Sequence, residues 1–169
     1  MSDHPVPVYL RPAAIAAVAV GGFVGTTARY LLTLASPGGE GAWPVATFGI
    51  NVAGALLLGV FLESLIRSGA DTGIRQLTRL GVGTGALGAF TTYSTLALDV
   101  DLLVRTGASV AAATYAVGTV VAGVFAAALG IALGARFPGA RTTGGDSAGG
   151  RMTDGDTTDG GTTDGGTAR

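Results

Sequence analysis

Residues Gly81 to Val100 read GVGTGALGAFTTYSTLALDV, and two incompatible folds compete for them. The run Gly83-Thr84-Gly85-Ala86-Leu87-Gly88 fits G-x-G-x-x-G, the turn that brings backbone close to a dinucleotide pyrophosphate at a helix N-terminus. That function requires a strand ahead of the glycines, a helix behind them and a returning parallel strand. Leu77 to Gly85 instead lies in an apolar run long enough to cross a bilayer, and no crossover helix with a second strand follows. A phosphate loop fails too, because it needs a lysine and the chain has none. The remaining reading is a membrane span with Gly81, Gly83, Gly85 and Gly88 in its first half and Thr91, Thr92, Ser94 and Thr95 after them. Glycine and β-branched threonine both weaken a helix, so the span is predicted to break mid-membrane, between Gly88 and Thr92. Backbone groups freed by a break in lipid must find partners in protein, water or an ion. Broken helices near the midplane are characteristic of ion sites, with carbonyl oxygens on the cation and donors facing the anion.

The rest of the chain agrees with a membrane. Of 169 residues 48% are apolar and 12% charged, and the mean hydropathy is +0.53; a soluble domain is charged at about a quarter of its positions. A helix needs about 20 apolar residues to cross the hydrocarbon core. Residues 12–34, 44–66, 77–104 and 108–135 each provide such a stretch. The expected fold is therefore an all-α membrane protein with four transmembrane helices in residues 1–137, joined by connections short enough to make consecutive helices antiparallel neighbours. No clear small-residue cleavage site follows the first apolar run, which is read as a retained helix. From Pro138 the composition turns to Gly, Thr and Asp, so residues 138–169 are expected to form a disordered acidic tail.

Charge and residue types exclude several functions. The 10 basic residues are all arginines and the 11 acidic ones leave a net charge of -1, which offers no ground for a nucleic-acid partner. Without cysteine there is no disulfide, thiolate ligand or thiol nucleophile. The only histidine is His4, no serine has a base placed for it, and no carboxylate is expected deep in a span, so an enzyme is not expected. A proton-coupled pump would want a mid-membrane Asp, Glu or His.

Each polar group inside a span is a functional candidate, because hydrocarbon penalises it. In the first span Gly21 and Gly25 form a G-x-x-x-G face for close helix approach, and Arg29 follows on that face. Two roles stand for Arg29: snorkelling to the interface, or a fixed positive charge at the mouth of an anion path. In the second span Thr47, Asn51 and Ala55 share a stripe bordered by Gly54. Asn51 is either interhelical glue or a pair of uncharged N–H donors suited to an anion. In the fourth span Tyr115, Thr119 and Gly123 share a stripe; Tyr115 is either an interfacial anchor or part of a polar track, and Thr119 either bonds locally or joins that track.

Taken in order, GGFVGTTARY, GINVAGALLLG and GTGALGAFTTYSTLALD resemble the Fluc/CrcB family of fluoride channels across all four helices. The resemblance implies an antiparallel, dual-topology-type dimer of opposed subunits, two narrow fluoride pores, and a structural, non-transported sodium ion at the broken third helices. It puts Gly88 and Thr91 where family members give backbone oxygens to sodium. Asn51 falls on the pore asparagine, Arg29 on the vestibule arginine, and Tyr115 and Thr119 on the polar track. Tyr93 and Leu96 stand where phenylalanines are common, Ser94 is a further pore candidate, and Gly123 replaces a common serine. The implied function is passive fluoride export that relieves toxicity. The other readings are a small transporter for organic cations, which would want a buried carboxylate, and a non-conducting membrane adaptor, which would leave the TTYST break unexplained.

An even number of spans puts both termini on one side. Arg11, Arg67, Arg75, Arg79, Arg136 and Arg141 lie near the membrane there, against Arg105 and, depending on its depth, Arg29 opposite. The positive-inside rule then puts the termini in the cytoplasm. So strong a bias predicts insertion mainly one way, and hence a dimer with an oppositely biased paralogue, the alternative being the simpler dimer with itself.

Overall fold

The computed structural model describes residues 7, 10–36 and 43–136; the expected tail at 138–169, His4 and Arg141 lie outside the described residues. In chain order the elements are α1 (Pro12–Ala35), α2 (Val45–Arg67), α3 (Ile74–Thr78), a π-helical segment (Arg79–Leu87), α4 (Gly88–Phe90), α5 (Tyr93–Arg105) and α6 (Ser109–Gly134). Four stretches are long and apolar enough to cross a membrane: α1, α2, the composite Ile74–Arg105, and α6. Their ends fall close to the predicted ranges. The 24 residues of α1 reach about 36 Å, against about 30 Å of hydrocarbon. Phe23, Phe125 and Val110 are 74%, 71% and 82% exposed, an outward apolar surface suited to lipid.

Local chemistry sets the helix ends. Pro12 opens α1, where its missing N–H costs nothing. α5 closes on Gly107 at φ 81°: Gly107 N–H donates to Val104 O at 3.0 Å and Ala108 N–H to Leu103 O at 2.9 Å. This Schellman arrangement needs a residue free of Cβ strain. The third span begins at Ile74, earlier than the apolar pattern predicts. Gly73, at φ 57°, turns the chain directly into α3, and the Arg79–Asp71 ion pair at 2.8 Å bridges the turn.

Glycines decide which helices meet. A Cβ on Gly21 would overlap the Gly81 carbonyl, and one on Gly25 the Ala86 carbonyl, so α1 lies backbone to backbone on the π-helical segment. Gly85 returns the contact: a Cβ there would come within 2.7 Å of Val18 O. On the other side Gly59 of α2 and Gly130 and Gly134 of α6 leave no room for a side chain, each facing carbonyl oxygen of the opposite helix. The two closest pairings are thus α1 with the third span and α2 with α6, while the consecutive pair α1 and α2 touch only lightly. Small residues at a helix interface allow this approach in lipid, where apolar side chains gain nothing by leaving one apolar medium for another.

Candidate functional site

Helical geometry ends at Thr91 (φ -74°, ψ 154°) and resumes after Thr92 (φ -146°, ψ 123°), both extended. Gly88 itself stays helical; the chain departs at the two threonines. Such an interruption strands N–H and C=O groups that in hydrocarbon cost several kcal/mol each if left alone. One side chain answers both at Thr92: Asn51 Nδ2 donates to Thr92 O at 3.0 Å, and Thr92 N–H donates to Asn51 Oδ1 at 2.8 Å. A carboxamide presents donor and acceptor side by side in this way without charge and without depending on protonation. α2 is also shaped for the break, since Gly54, one turn on, makes room for the Thr91 methyl and the Phe90 ring.

The second half of the span is restarted by Thr92. Its Oγ1 accepts from Thr95 N–H at 3.2 Å, as an N-cap hydroxyl does, and lies 3.2 Å from Ser94 Oγ and 3.0 Å from Thr95 Oγ1. These bonds have a consequence for two carbonyls. The Thr92 N–H that would continue the helix onto Gly88 O is held by Asn51, and the Thr95 N–H that would reach Thr91 O is held by Thr92 Oγ1. Gly88 O receives only a long contact from Thr91 Oγ1 at 3.4 Å. Both oxygens are thereby released from helical N–H donors, the condition for backbone to hold a hard cation. Among the described residues no group of three His, Cys, Asp or Glu side chains gathers for that purpose.

A second polar group lies on α6. Tyr115 is fully buried, so it is no interfacial anchor; its ring meets Trp43 edge-on at 5.2 Å, and its hydroxyl donates to Asp99 Oδ2 at 3.0 Å. Thr119, also buried, donates to Tyr115 O at 2.7 Å. Leu96 packs beside Tyr115 with Leu103 and Ala112. Tyr93, by contrast, is 81% exposed on the single chain, and Ser94 is exposed beside it. The two positions that depart from phenylalanine thus differ in burial, Leu96 packed inside the chain and Tyr93, one turn earlier at the start of α5, open on its surface. Arg29 is half-buried near the end of α1, and no described carboxylate pairs with it.

The structure therefore joins Asn51, Thr91, Ser94 and the carbonyl of Gly88 around one interruption, and Leu96, Tyr115 and Thr119 in an adjoining group. Sequence reasoning gave no role to Thr92, which anchors the first set, or to Asp99 and Trp43, which fix Tyr115. Asp99 lies 16 residues from Tyr115 on another helix, a pairing no local period signals. Thr92 had a detectable signal: a threonine three residues before Thr95 at a restarted helix fits an N-cap.

These features define a polytopic helical membrane protein whose polar side chains converge on a broken span. A family pattern described as CrcB-like protein, Camphor Resistance (CrcB), matches residues 16–131. The Fluoride-specific ion channel FluC 2 of Leifsonia xyli subsp. xyli is 46% identical over 129 residues, 76% of this chain and 88% of that protein. Two proteins of Streptomyces avermitilis are among the relatives that match. Fluoride-specific ion channel FluC 3 is 41% identical over 125 residues, 74% of this chain and 60% of its own. FluC 2 of the same organism is 40% identical over 105 residues, 62% of this chain and 65% of its own. The chain belongs to the CrcB family, that of the fluoride-specific ion channels, and these relatives are channels and not enzymes.

Proposed function

We propose that the chain forms a passive, fluoride-selective channel that lets fluoride leave the cytoplasm, and that Asn51 at the interrupted span is its central donor. The observation that carries this reading is the double hydrogen bond between Asn51 and Thr92. It fixes the amide plane with one Nδ2–H left over, since a carboxamide has two N–H groups and Thr92 O takes one. Fluoride is small and strongly hydrated, so a selective pore must replace its water with rigid donors at a constriction too narrow for larger anions. A donor already oriented by two bonds meets that need without reorganising. Ser94 and Tyr93 supply further polar or aromatic edges next to it, Leu96 an apolar wall, and Arg29 a positive mouth. Tyr115 and Thr119 donate their protons to Asp99 and to Tyr115 O, so each hydroxyl must turn to donate to a passing anion.

Sodium fits the Gly88 and Thr91 carbonyls in this reading, as an oxygen-only site for a hard cation. Gly88 is exposed on a single chain, which suits a site finished by the same two oxygens of a second, inverted subunit. When bound, the ion supplies a fixed positive charge that holds the two interruptions together and is not carried. The termini lie in the cytoplasm, since Arg11, Arg67, Arg75, Arg79 and Arg136 are at the end shared by both termini and Arg105 at the other. That bias favours an oppositely biased paralogue as the partner, and the presence of two relatives in Streptomyces avermitilis agrees with channels of this family occurring in sets.

Ion efflux from liposomes containing the purified polypeptide tests the proposal. Fluoride is expected to leave and chloride to stay, with fluoride flux dependent on sodium. Equal or absent flux of the two anions, both alone and with an oppositely biased relative added, would sink it; sodium-dependent fluoride flux from the polypeptide alone removes the need for a paralogue and leaves a dimer of identical chains.

A further inference from the structure

A cavity of about 300 Å³ opens where α2 ends and the third span begins, away from the interruption. Its wall is apolar, made by Leu62, Leu65 and Ile66 on the last turns of α2, and Ile66 is 72% exposed at its rim. Its floor is charged. Arg79 is spent on Asp71 at 2.8 Å, and Arg67 nearby on Glu63 at 2.7 Å. Arg75, which also lines the cavity, has no carboxylate partner among the described residues. Gly69, at φ 114°, holds the place against which the Arg75 guanidinium lies, and a Cβ there would collide with Nη1.

We propose that this cavity binds one anionic phospholipid, its phosphate on Arg75 and the start of an acyl chain along Leu62, Leu65 and Ile66. Three observations select that occupant. The cavity sits at the helix ends, the part of a spanning helix that a bilayer about 30 Å thick leaves nearest its headgroups. Its apolar wall ends at Ile66, exposed at the rim, and a soluble anion would leave this apolar surface uncovered. Charge at this end favours an anion over a zwitterion: Arg11, Arg67, Arg75, Arg79 and Arg136 stand against Glu63 and Asp71 among the described residues. Basic pockets between spanning helices bind anionic headgroups for this reason.

The site is independent of ion conduction and is tested on the purified full chain in detergent by native mass spectrometry, with phosphatidylglycerol and phosphatidylcholine of identical acyl chains added in turn. The protein is expected to retain one phosphatidylglycerol about fivefold more tightly than phosphatidylcholine, the factor one arginine contributes near an anionic headgroup. Arg75→Gln should erase the preference, and Arg75→Lys, which keeps the charge, should retain most of it. Equal retention of the two lipids by the unaltered protein, or an unchanged preference in Arg75→Gln, overturns the proposal. Displacement of the lipid by excess soluble glycerophosphate also overturns it, since phosphate alone would then suffice.

Discussion

Where α1 meets the π-helical segment, backbone lies on backbone and no side chain intervenes, whereas α2 meets Thr92 through a single amide making two hydrogen bonds. The first contact is specified by what is missing, the Cβ atoms of Gly21, Gly25 and Gly85. The second is specified by one group that matches donor to acceptor. They should fail in different ways: adding atoms to the first separates helices, while changing the second leaves the helices together and alters what the interruption presents.

The largest effect is expected from Gly25→Leu, because the new side chain meets the Ala86 carbonyl and neither backbone can yield without parting the helices. Overpacking of this kind costs about 3 kcal/mol or more, and size-exclusion chromatography with thermal unfolding in detergent should find little folded protein. A folded, conducting variant would break the comparison. Next comes Asn51→Asp. The carboxylate can still accept from Thr92 N–H but repels Thr92 O and a passing anion, so fluoride flux should fall by more than about tenfold while helicity persists. Unchanged flux would remove Asn51 from the pathway and leave it as interhelical glue. The smallest effect belongs to Gly22→Ala, one residue from Gly21 on the same helix, where a Cβ meets nothing within 4 Å. Alanine is the better helix former by about 0.5–1 kcal/mol, so stability measured by thermal unfolding should rise by no more than that; a loss would mean that Gly22 is covered in the assembled channel.

The four spans were legible in the sequence because length and apolarity alone decide whether a helix can cross a bilayer. Glycine followed by threonine pointed to the segment from Gly88 to Thr92, and within it Gly88 is helical while the helix is interrupted at Thr91 and Thr92. Helix partnership was not legible. A G-x-x-x-G face states that some backbone will come close and is silent on which, so Gly21 and Gly25 could not be assigned to the third span in advance. The bond from Asn51 to Thr92 crosses 41 positions and that from Tyr115 to Asp99 crosses 16, and neither distance carries a local period. For the same reason the different burial of Tyr93 and Leu96 emerges only once α6 is in place.

The nine π-helical residues ahead of the interruption carry a geometric consequence. Their wide rings close on the fifth residue back instead of the fourth, and the segment as a whole takes up roughly one extra residue, or about 100° of rotation, relative to an α-helix. The segment acts as a phase shifter. Side chains after it are offset from the stripe set by α3, and Thr91 comes round to Gly54 and Thr92 to Asn51 only with that offset included. Losing one residue between Arg79 and Leu87 would let the segment relax to ordinary α-helix at little local cost. It would also turn the interruption away from α2, so the length of this glycine-rich run is as much a part of the site as the identity of Asn51.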